Sequence, residues 1–206
     1  VRGGGGGGVG FGDSRANIAT WVSGSLGPRG VNWTGAYLEI LALLSFVIFV
    51  GVLAAALRAG EGAQPWLSNV TLGAGLITVA LKLSSLPAAF ALAYRAHDGF
   101  DPQLAAALTD ANGFSFVLTW PATSLMIAAA AIGILRYGVL PAWLGWSGAV
   151  AAVALLAAEP LAFGQGAFVA FVASSLWVLL ASGTMVVRAA PKAHTLATRN
   201  ALPATG

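Results

Sequence analysis

The sequence predicts an all-α membrane protein, a polytopic transmembrane bundle of about five spanning helices. Composition is the first reason, because 58% of the 206 residues are hydrophobic and only 8% are charged, against about 25% charged residues in soluble domains. So few charges cannot cover the surface of a soluble protein of this size, so lipid must solvate much of its exterior. The second reason is that apolar runs of about 20 residues with at most one charged residue recur, long enough to cross a hydrocarbon core of about 30 Å.

Five apolar runs are separated by short polar or glycine-containing segments. In hydrocarbon every backbone N–H and C=O group must be paired, which leaves helices and closed barrels as spanning structures. Long uninterrupted runs lack the alternating pattern of a barrel strand and therefore predict helices. The predicted helices cover roughly 37–57, 67–94, 114–135, 140–163 and 167–187.

Aromatic residues and one short polar helix mark the predicted membrane boundaries. Tyrosine and tryptophan settle at the membrane–water interface, and they stand near the ends of the runs: Trp33, Tyr37, Trp66, Tyr94, Tyr137, Trp143 and Trp146. Between the second and third runs, residues 103–110 predict a short interfacial helix. Asp101 is placed to cap this helix, and Pro102 to occupy its first position.

The chain divides into three parts by composition. Residues 1–33 are polar and rich in glycine, which loses much conformational entropy on ordering, so we expect them to be disordered. Residues 34–188 form the predicted transmembrane domain, and residues 189–206 a disordered cytoplasmic tail. The chain begins with Val1 and no signal peptide precedes the first run. A missing upstream helix is therefore one expectation, and the full-length form would then have six spanning helices.

The distribution of basic residues predicts the orientation of the helices. Cytoplasmic loops carry an excess of lysine and arginine. Arg29 and Arg95 fall on one side of the predicted membrane, and a larger basic set falls on the other: Arg58, Arg136, Arg188, Lys192 and Arg199. This asymmetry predicts a multi-pass protein of the cell membrane, with its C-terminus in the cytoplasm and its N-terminus outside.

Lys82 is the strongest candidate for a functional residue, because it lies near the middle of the second predicted helix. A lysine there costs about 2.5–3.5 kcal/mol on insertion scales, so it needs a partner, a watery cavity or a route to the interface. Glu39 and Glu159, near the outer ends of the first and fourth helices, could each pair with it. These residues predict an outer-leaflet site for an anion, a proton relay or a headgroup. A structural ion pair, or snorkelling of the lysine, is the alternative.

The polar loop between the second and third runs carries candidate metal ligands. His97, Asp98, Asp101 and Asp110 offer an imidazole and three carboxylates, a donor set suited to a divalent cation. Their spacing matches no specific motif, so a solvated polar loop is the alternative interpretation. No cofactor is predicted, since the chain has no cysteine and only two histidines, and it contains no nucleotide-binding or hydrolase motif.

The stretch Leu140–Gly148 reads Leu-Pro-Ala-Trp-Leu-Gly-Trp-Ser-Gly. Pro141 is suited to start a helix, the two tryptophans to anchor it at the interface, and Gly145 and Gly148 to admit a neighbouring helix. The stretch resembles the LPxWLGWxG motif of a broad family of uncharacterised bacterial membrane proteins, catalogued only as a domain of unknown function. The resemblance covers about Asp13–Arg188. It implies a multi-spanning fold, usually with an extra N-terminal helix, and no established activity.

Three functions fit these features. The lack of a recognisable catalytic constellation favours a non-enzymatic structural or accessory membrane protein. A small transporter or ligand-binding protein would instead use the polar site around Lys82, and a lipid-acting enzyme would use the 95–110 loop at headgroup level. The expected partners are the lipid bilayer and other membrane proteins or further copies of the chain. Nucleic acid is not expected, since basic and aromatic residues are not interleaved.

Overall fold

The described part of the chain, residues 14, 16–17, 29–95, 101–159 and 165–200 of a computed structural model, is all-helical. Its five long α-helices are α1 (Arg29–Glu61), α2 (Trp66–Arg95), α3 (Pro102–Tyr137), α4 (Ala142–Ala158) and α5 (Gln165–Asn200). Four contain a stretch long and apolar enough to cross a membrane: Tyr37–Glu61, Trp66–Ala91, Pro102–Tyr137 and Phe168–Arg188. The predicted fold class is confirmed.

Helix α4 is the shortest of the five. Its 17 residues include no charged side chain and extend about 25 Å at 1.5 Å per residue, slightly less than a hydrocarbon core of about 30 Å. Glu159 is the C-cap of this helix. The described part of the fourth predicted run is therefore helical over Ala142–Ala158, and the predicted boundary near residue 163 lies outside the described residues.

Helix α3 begins where the sequence predicted. The backbone N–H of Gln103 donates to Asp101 Oδ1 at 2.8 Å, so Asp101 caps the helix and Pro102 occupies its first position. The helix then continues through Asp110 and joins the third apolar run as one helix of 36 residues. The prediction of a separate interfacial helix was wrong. Only Gly113 could interrupt the joining segment, and a helical glycine costs only about 1 kcal/mol relative to alanine.

Two helices are longer than the sequence predicted. Helix α1 starts at Arg29, inside the segment 1–33 that was expected to be disordered. Helix α5 continues past the last apolar run to Asn200, inside the segment 189–206 that was expected to be a disordered tail. The segment that follows Arg188 contains several alanines, which favour helix, although the segment as a whole is too polar to span a membrane.

The described helices form two compact units. The first unit takes its described residues from 1–50 and 73–123, so it holds the first part of α1, the last part of α2 and the first part of α3. The second takes them from 51–72 and 124–206, so it holds the α1–α2 turn, the end of α3, and α4 and α5. Each unit has its own buried apolar residues and its own polar contacts.

Glycines let the helices of the second unit approach closely. A Cβ atom added at Gly133 of α3 would lie 2.7 Å from Cδ2 of Leu57 in α1. One added at Gly145 of α4 would lie 2.6 Å from Cγ of Leu135 in α3. Contacts this short require the leucines to move, so glycine is the residue that fits. The predicted role of Gly145 in close helix approach is confirmed.

The contact between α4 and α5 is built on Gly148 and Trp177. A Cβ atom added at Gly148 would lie 2.7 Å from Trp177 Nε1, and this Nε1 donates a hydrogen bond to the backbone oxygen of Leu144 at 2.8 Å. The tryptophan is only 2% exposed. The prediction that Gly148 admits a neighbouring helix is therefore confirmed.

Between α3 and α4, the Ser124 hydroxyl donates to the carbonyl oxygen of Ala152 at 2.8 Å.

The Glu61 side chain closes the turn between α1 and α2. Its carboxylate accepts hydrogen bonds from the backbone N–H of Leu67 at 2.7 Å and of Ser68 at 3.1 and 3.2 Å. It therefore satisfies backbone donors that the first turn of α2 leaves unpaired. Across the same turn, the Arg58 guanidinium donates to Oδ1 of Asn69. Two polar contacts thus hold the ends of α1 and α2 together.

Candidate functional site: an ion pair within the membrane-spanning helices

The first unit brings Lys82 and Glu39 together. The Nζ atom of Lys82 in α2 lies 2.9 Å from Oε1 of Glu39 in α1. Both residues lie within the stretches that are long and apolar enough to span a membrane, and their side chains are 18% and 35% exposed, respectively. The sequence predicted that a carboxylate from Glu39 or Glu159 would face this lysine, and Glu39 does so.

Helix α3 completes the surroundings of Lys82 with an aromatic ring. Nζ lies 6.0 Å from the centroid of the Phe116 ring, within reach of a cation–π interaction. Phe116 packs edge-on against Trp120, with ring centroids 5.9 Å apart. One turn from the lysine along α2, the hydroxyl of Thr78 is hydrogen-bonded to that of Thr123 in α3 at 3.2 Å. Side chains from α1 and α3 therefore both contact the ammonium group.

The ion pair reduces the cost of placing charge in hydrocarbon. A lysine ammonium has three N–H donors, and the carboxylate of Glu39 accepts from it while neutralising its charge. Among the described residues, no second acid or base forms an ion pair with either partner. The arrangement can therefore hold α1 against α2, and the exposed part of Lys82 still has donors for a small anion.

Glu159, the other predicted partner, lies in the second unit. It ends α4, its backbone N–H donates to the carbonyl oxygen of Leu156, and its side chain is half-buried. The ion pair that the structure describes for Lys82 is the one with Glu39. A role for Glu159 in ligand binding stays a prediction.

The predicted metal ligands fall into two groups. His97 and Asp98 lie outside the described residues. Asp101 caps α3, and Asp110 is half-buried nine positions along the chain, about 13 Å further along the helix axis. The two described aspartates are therefore too far apart to bind one ion together. Within the described residues, no group of three or more histidines, cysteines or acids could hold a metal.

Sequence reasoning missed two residues near the ion pair, Thr78 of α2 and Phe116 of α3. Thr78 lies four residues before Lys82, the spacing that places two side chains on one helix face, so it could have been named from the sequence. Phe116 carries no comparable signal, because it stands among other apolar residues of α3. Its proximity to Lys82 follows from tertiary packing within the first unit.

No protein-family model, no curated protein and no solved structure matches the chain. The functional conclusion therefore depends on the geometry of the described residues.

Proposed function

We propose that this chain is a non-enzymatic membrane protein with a structural or accessory role, in which the Glu39–Lys82 ion pair fixes α1 to α2 within the bilayer. The 2.9 Å contact between Nζ and Oε1 carries the proposal. An unpaired charge is costly in hydrocarbon. Two helices that carry opposite charges at the same depth are therefore favoured as neighbours. Two other described acids support a structural role, because Glu61 caps α2 and Asp101 caps α3.

Breaking the ion pair should destabilise the protein, and replacing both partners should cost less than the sum of the single changes. Lys82→Met leaves a carboxylate unpaired, and Glu39→Gln leaves an ammonium unpaired. We expect each to lower the free energy of unfolding by about 1 kcal/mol, the size of polar contacts between membrane helices. The double variant leaves neither charge without its partner. Reversible unfolding in mixed micelles gives the coupling energy from the four proteins.

The matched control for this cycle is Glu159→Gln, which removes a carboxylate that forms no ion pair among the described residues. It should leave the free energy of unfolding nearly unchanged. If the losses of Lys82→Met and Glu39→Gln simply add in the double variant, the two side chains are not coupled, and the structural role of the pair must be abandoned.

A small-ligand site around the same pair is the second candidate. The partial exposure of both side chains favours it, since a small anion would replace Glu39 as the partner of Nζ. Such a site predicts that acetate or inorganic phosphate raises the unfolding temperature of Glu39→Gln and leaves Lys82→Met unaffected. This pattern would establish ligand binding at Lys82, and an equal response of the two variants would exclude it.

We propose that the helix ends carrying Arg58, Arg136 and Arg188 face the cytoplasm. Since the chain has no cysteine, a single introduced cysteine is its only site of thiol labelling and reports which side of the membrane that position faces. Ala63 in the α1–α2 turn and Gln103 in the first turn of α3 are both exposed. An impermeant maleimide should label Gln103→Cys in intact cells and Ala63→Cys only after permeabilisation. The reverse pattern would invert the proposed orientation.

We also propose membership in the bacterial family that the Leu140–Gly148 stretch resembles. The support is physical: Pro141 immediately precedes α4, and Gly145 and Gly148 pack against neighbouring helices, which are the roles predicted for that motif. A lipid-acting enzyme that uses the 95–110 segment has less support, because Asp101 already serves as a helix cap.

A further inference from the structure

Two arginines of the second unit are gathered at the turn between α3 and α4. Arg188 of α5 donates from Nη1 to the backbone oxygen of Val139 at 3.0 Å. Arg136 lies in the last turn of α3, and its guanidinium carbon is 5.6 Å from the centroid of the Tyr137 ring. Both arginines are exposed. We call the group formed by Arg136, Val139 and Arg188 the arginine turn.

Within the described residues, neither arginine of this turn forms an ion pair with a carboxylate. Arg188 bonds a neutral carbonyl, and Arg136 lies against a neutral ring. Helix α4, which begins directly after the turn, has no acidic residue in its first turn. Each guanidinium has five N–H donors, so most donors of Arg188 and those of Arg136 stay available to an anion.

The last turn of α1 packs against the arginine turn and brings a further basic residue to the same end of the second unit. A Cβ atom added at Gly60 would lie 2.5 Å from Cγ1 of Val139, and Arg58 precedes this glycine by two positions. The nearby carboxylate of Glu61 accepts hydrogen bonds from the first turn of α2. The negative charge of Glu61 offsets part of the positive charge of Arg58. Its carboxylate is not bonded to either arginine of the arginine turn.

Two tryptophans place the arginine turn at the level of lipid headgroups. Trp143 and Trp146 lie in the first two turns of α4 and are 50% and 67% exposed, respectively. Exposed tryptophans of membrane proteins settle at the membrane–water interface. Val139 comes four residues before Trp143, so the turn that follows Arg136 and accepts the hydrogen bond of Arg188 lies near this interface.

We infer that the arginine turn binds the phosphate of an anionic phospholipid, with Arg136 and Arg188 donating to its oxygens. Arginine recognises phosphate through paired N–H bonds. Among the described residues, no carboxylate pairs with either guanidinium. An anionic headgroup supplies the missing net negative charge, and a zwitterionic headgroup does not. The inference is independent of the role of the Glu39–Lys82 pair.

The test is the retention of lipid by the full chain released from nanodiscs of equimolar phosphatidylglycerol and phosphatidylcholine. Native mass spectrometry should show phosphatidylglycerol retained in preference. Because each basic residue near an anionic surface adds to the attraction of anionic lipid, Arg136→Gln/Arg188→Gln should lower the preference at least about tenfold. Arg29→Gln/Arg95→Gln, which removes the same charge from the first unit, should leave it unchanged.

Three results would overturn the inference: an unchanged preference in Arg136→Gln/Arg188→Gln, an equal loss in Arg29→Gln/Arg95→Gln, and displacement of the lipid by millimolar inorganic phosphate. The last would identify a site for free phosphate. If the glutamine variant does not fold, Arg136→Lys/Arg188→Lys replaces it. Lysine keeps the charge and loses the paired donors, so the preference should fall several-fold, and an unchanged value would contradict recognition by arginine.

Discussion

Replacing Trp177 with alanine should lower the free energy of unfolding by about 3 kcal/mol. The indole lies against Gly148 in the α4–α5 contact, and its Nε1 donates to the backbone oxygen of Leu144. Alanine would leave a cavity and remove the donor at once. The expected value is at the low end for tryptophan in soluble cores, because lipid solvates separated helices well. Equilibrium unfolding in mixed micelles, followed by circular dichroism, measures it.

Two further variants separate the causes of this loss. Trp177→Phe keeps most of the ring volume without the N–H donor, so it should lose about 1 kcal/mol, the net value of one hydrogen bond. Trp146→Ala removes a tryptophan that is largely exposed on α4 and should leave the free energy of unfolding nearly unchanged. A loss in Trp146→Ala as large as that in Trp177→Ala would mean that the buried contact does not stabilise the protein.

Leu57→Ala should lower the free energy of unfolding by about 2 kcal/mol. Leu57 is fully buried, and its Cδ2 occupies the space beside Gly133 of α3. Truncation would leave a void, because the glycine has no side chain that could fill it. Leu179→Ala is the matched control, because Leu179 is largely exposed on α5. Its truncation removes contacts with lipid rather than with protein. The same unfolding measurement compares the two.

A size exchange tests whether the contact between Leu57 and Gly133 causes the loss. Gly133→Val places a side chain where Cδ2 of the leucine lies, so alone it should destabilise by about 1–3 kcal/mol through overpacking. In Leu57→Ala/Gly133→Val the valine occupies the space that the leucine vacates. The double variant should therefore be more stable than the sum of the single losses predicts. Strict additivity would show that the two residues do not share a packing site.

The fold class could be predicted from the sequence because hydrocarbon imposes simple requirements on any spanning segment. Apolar runs of sufficient length must be helical there. Four of the five predicted runs lie within described helices, and the remaining run, 140–163, contains α4 (Ala142–Ala158). The ends of the helices could not be predicted as well. Helix α1 begins at Arg29 and α5 extends to Asn200, whereas hydrophobicity marks only the part of a helix that crosses the hydrocarbon core.

The candidate site was predicted in part. Lys82 was identified because an intramembrane charge is costly, and Glu39 because it is one of few acids that a lysine at that depth can reach. The choice between Glu39 and Glu159 depends on which helices are neighbours. The contact with Phe116 depends on helix rotation as well. Neither is encoded in a local pattern, so these details required the tertiary structure.

Trp177 shows the same limit in the core. Tryptophans near helix ends are predicted to anchor the helices at the membrane interface, and Trp143 and Trp146 are exposed as this prediction requires. Trp177 lies in the middle of α5, where the buried residues Ala170, Ser174 and Ala181 share its helix face. A single large side chain among small ones at spacings of three and four is a signal of close packing. The partner, Gly148, became evident only from the structure.

The contacts that close the α1–α2 turn bear on the order in which the chain enters the membrane. Glu61 bonds residues six and seven positions further along, and Arg58 bonds a residue 11 positions away. These bonds can form as soon as α2 has left the ribosome, so the first two helices can insert as a hairpin during synthesis. The Trp177–Leu144 bond spans 33 positions near the end of the described chain. This bond should therefore form late in biogenesis, when α5 packs against α4.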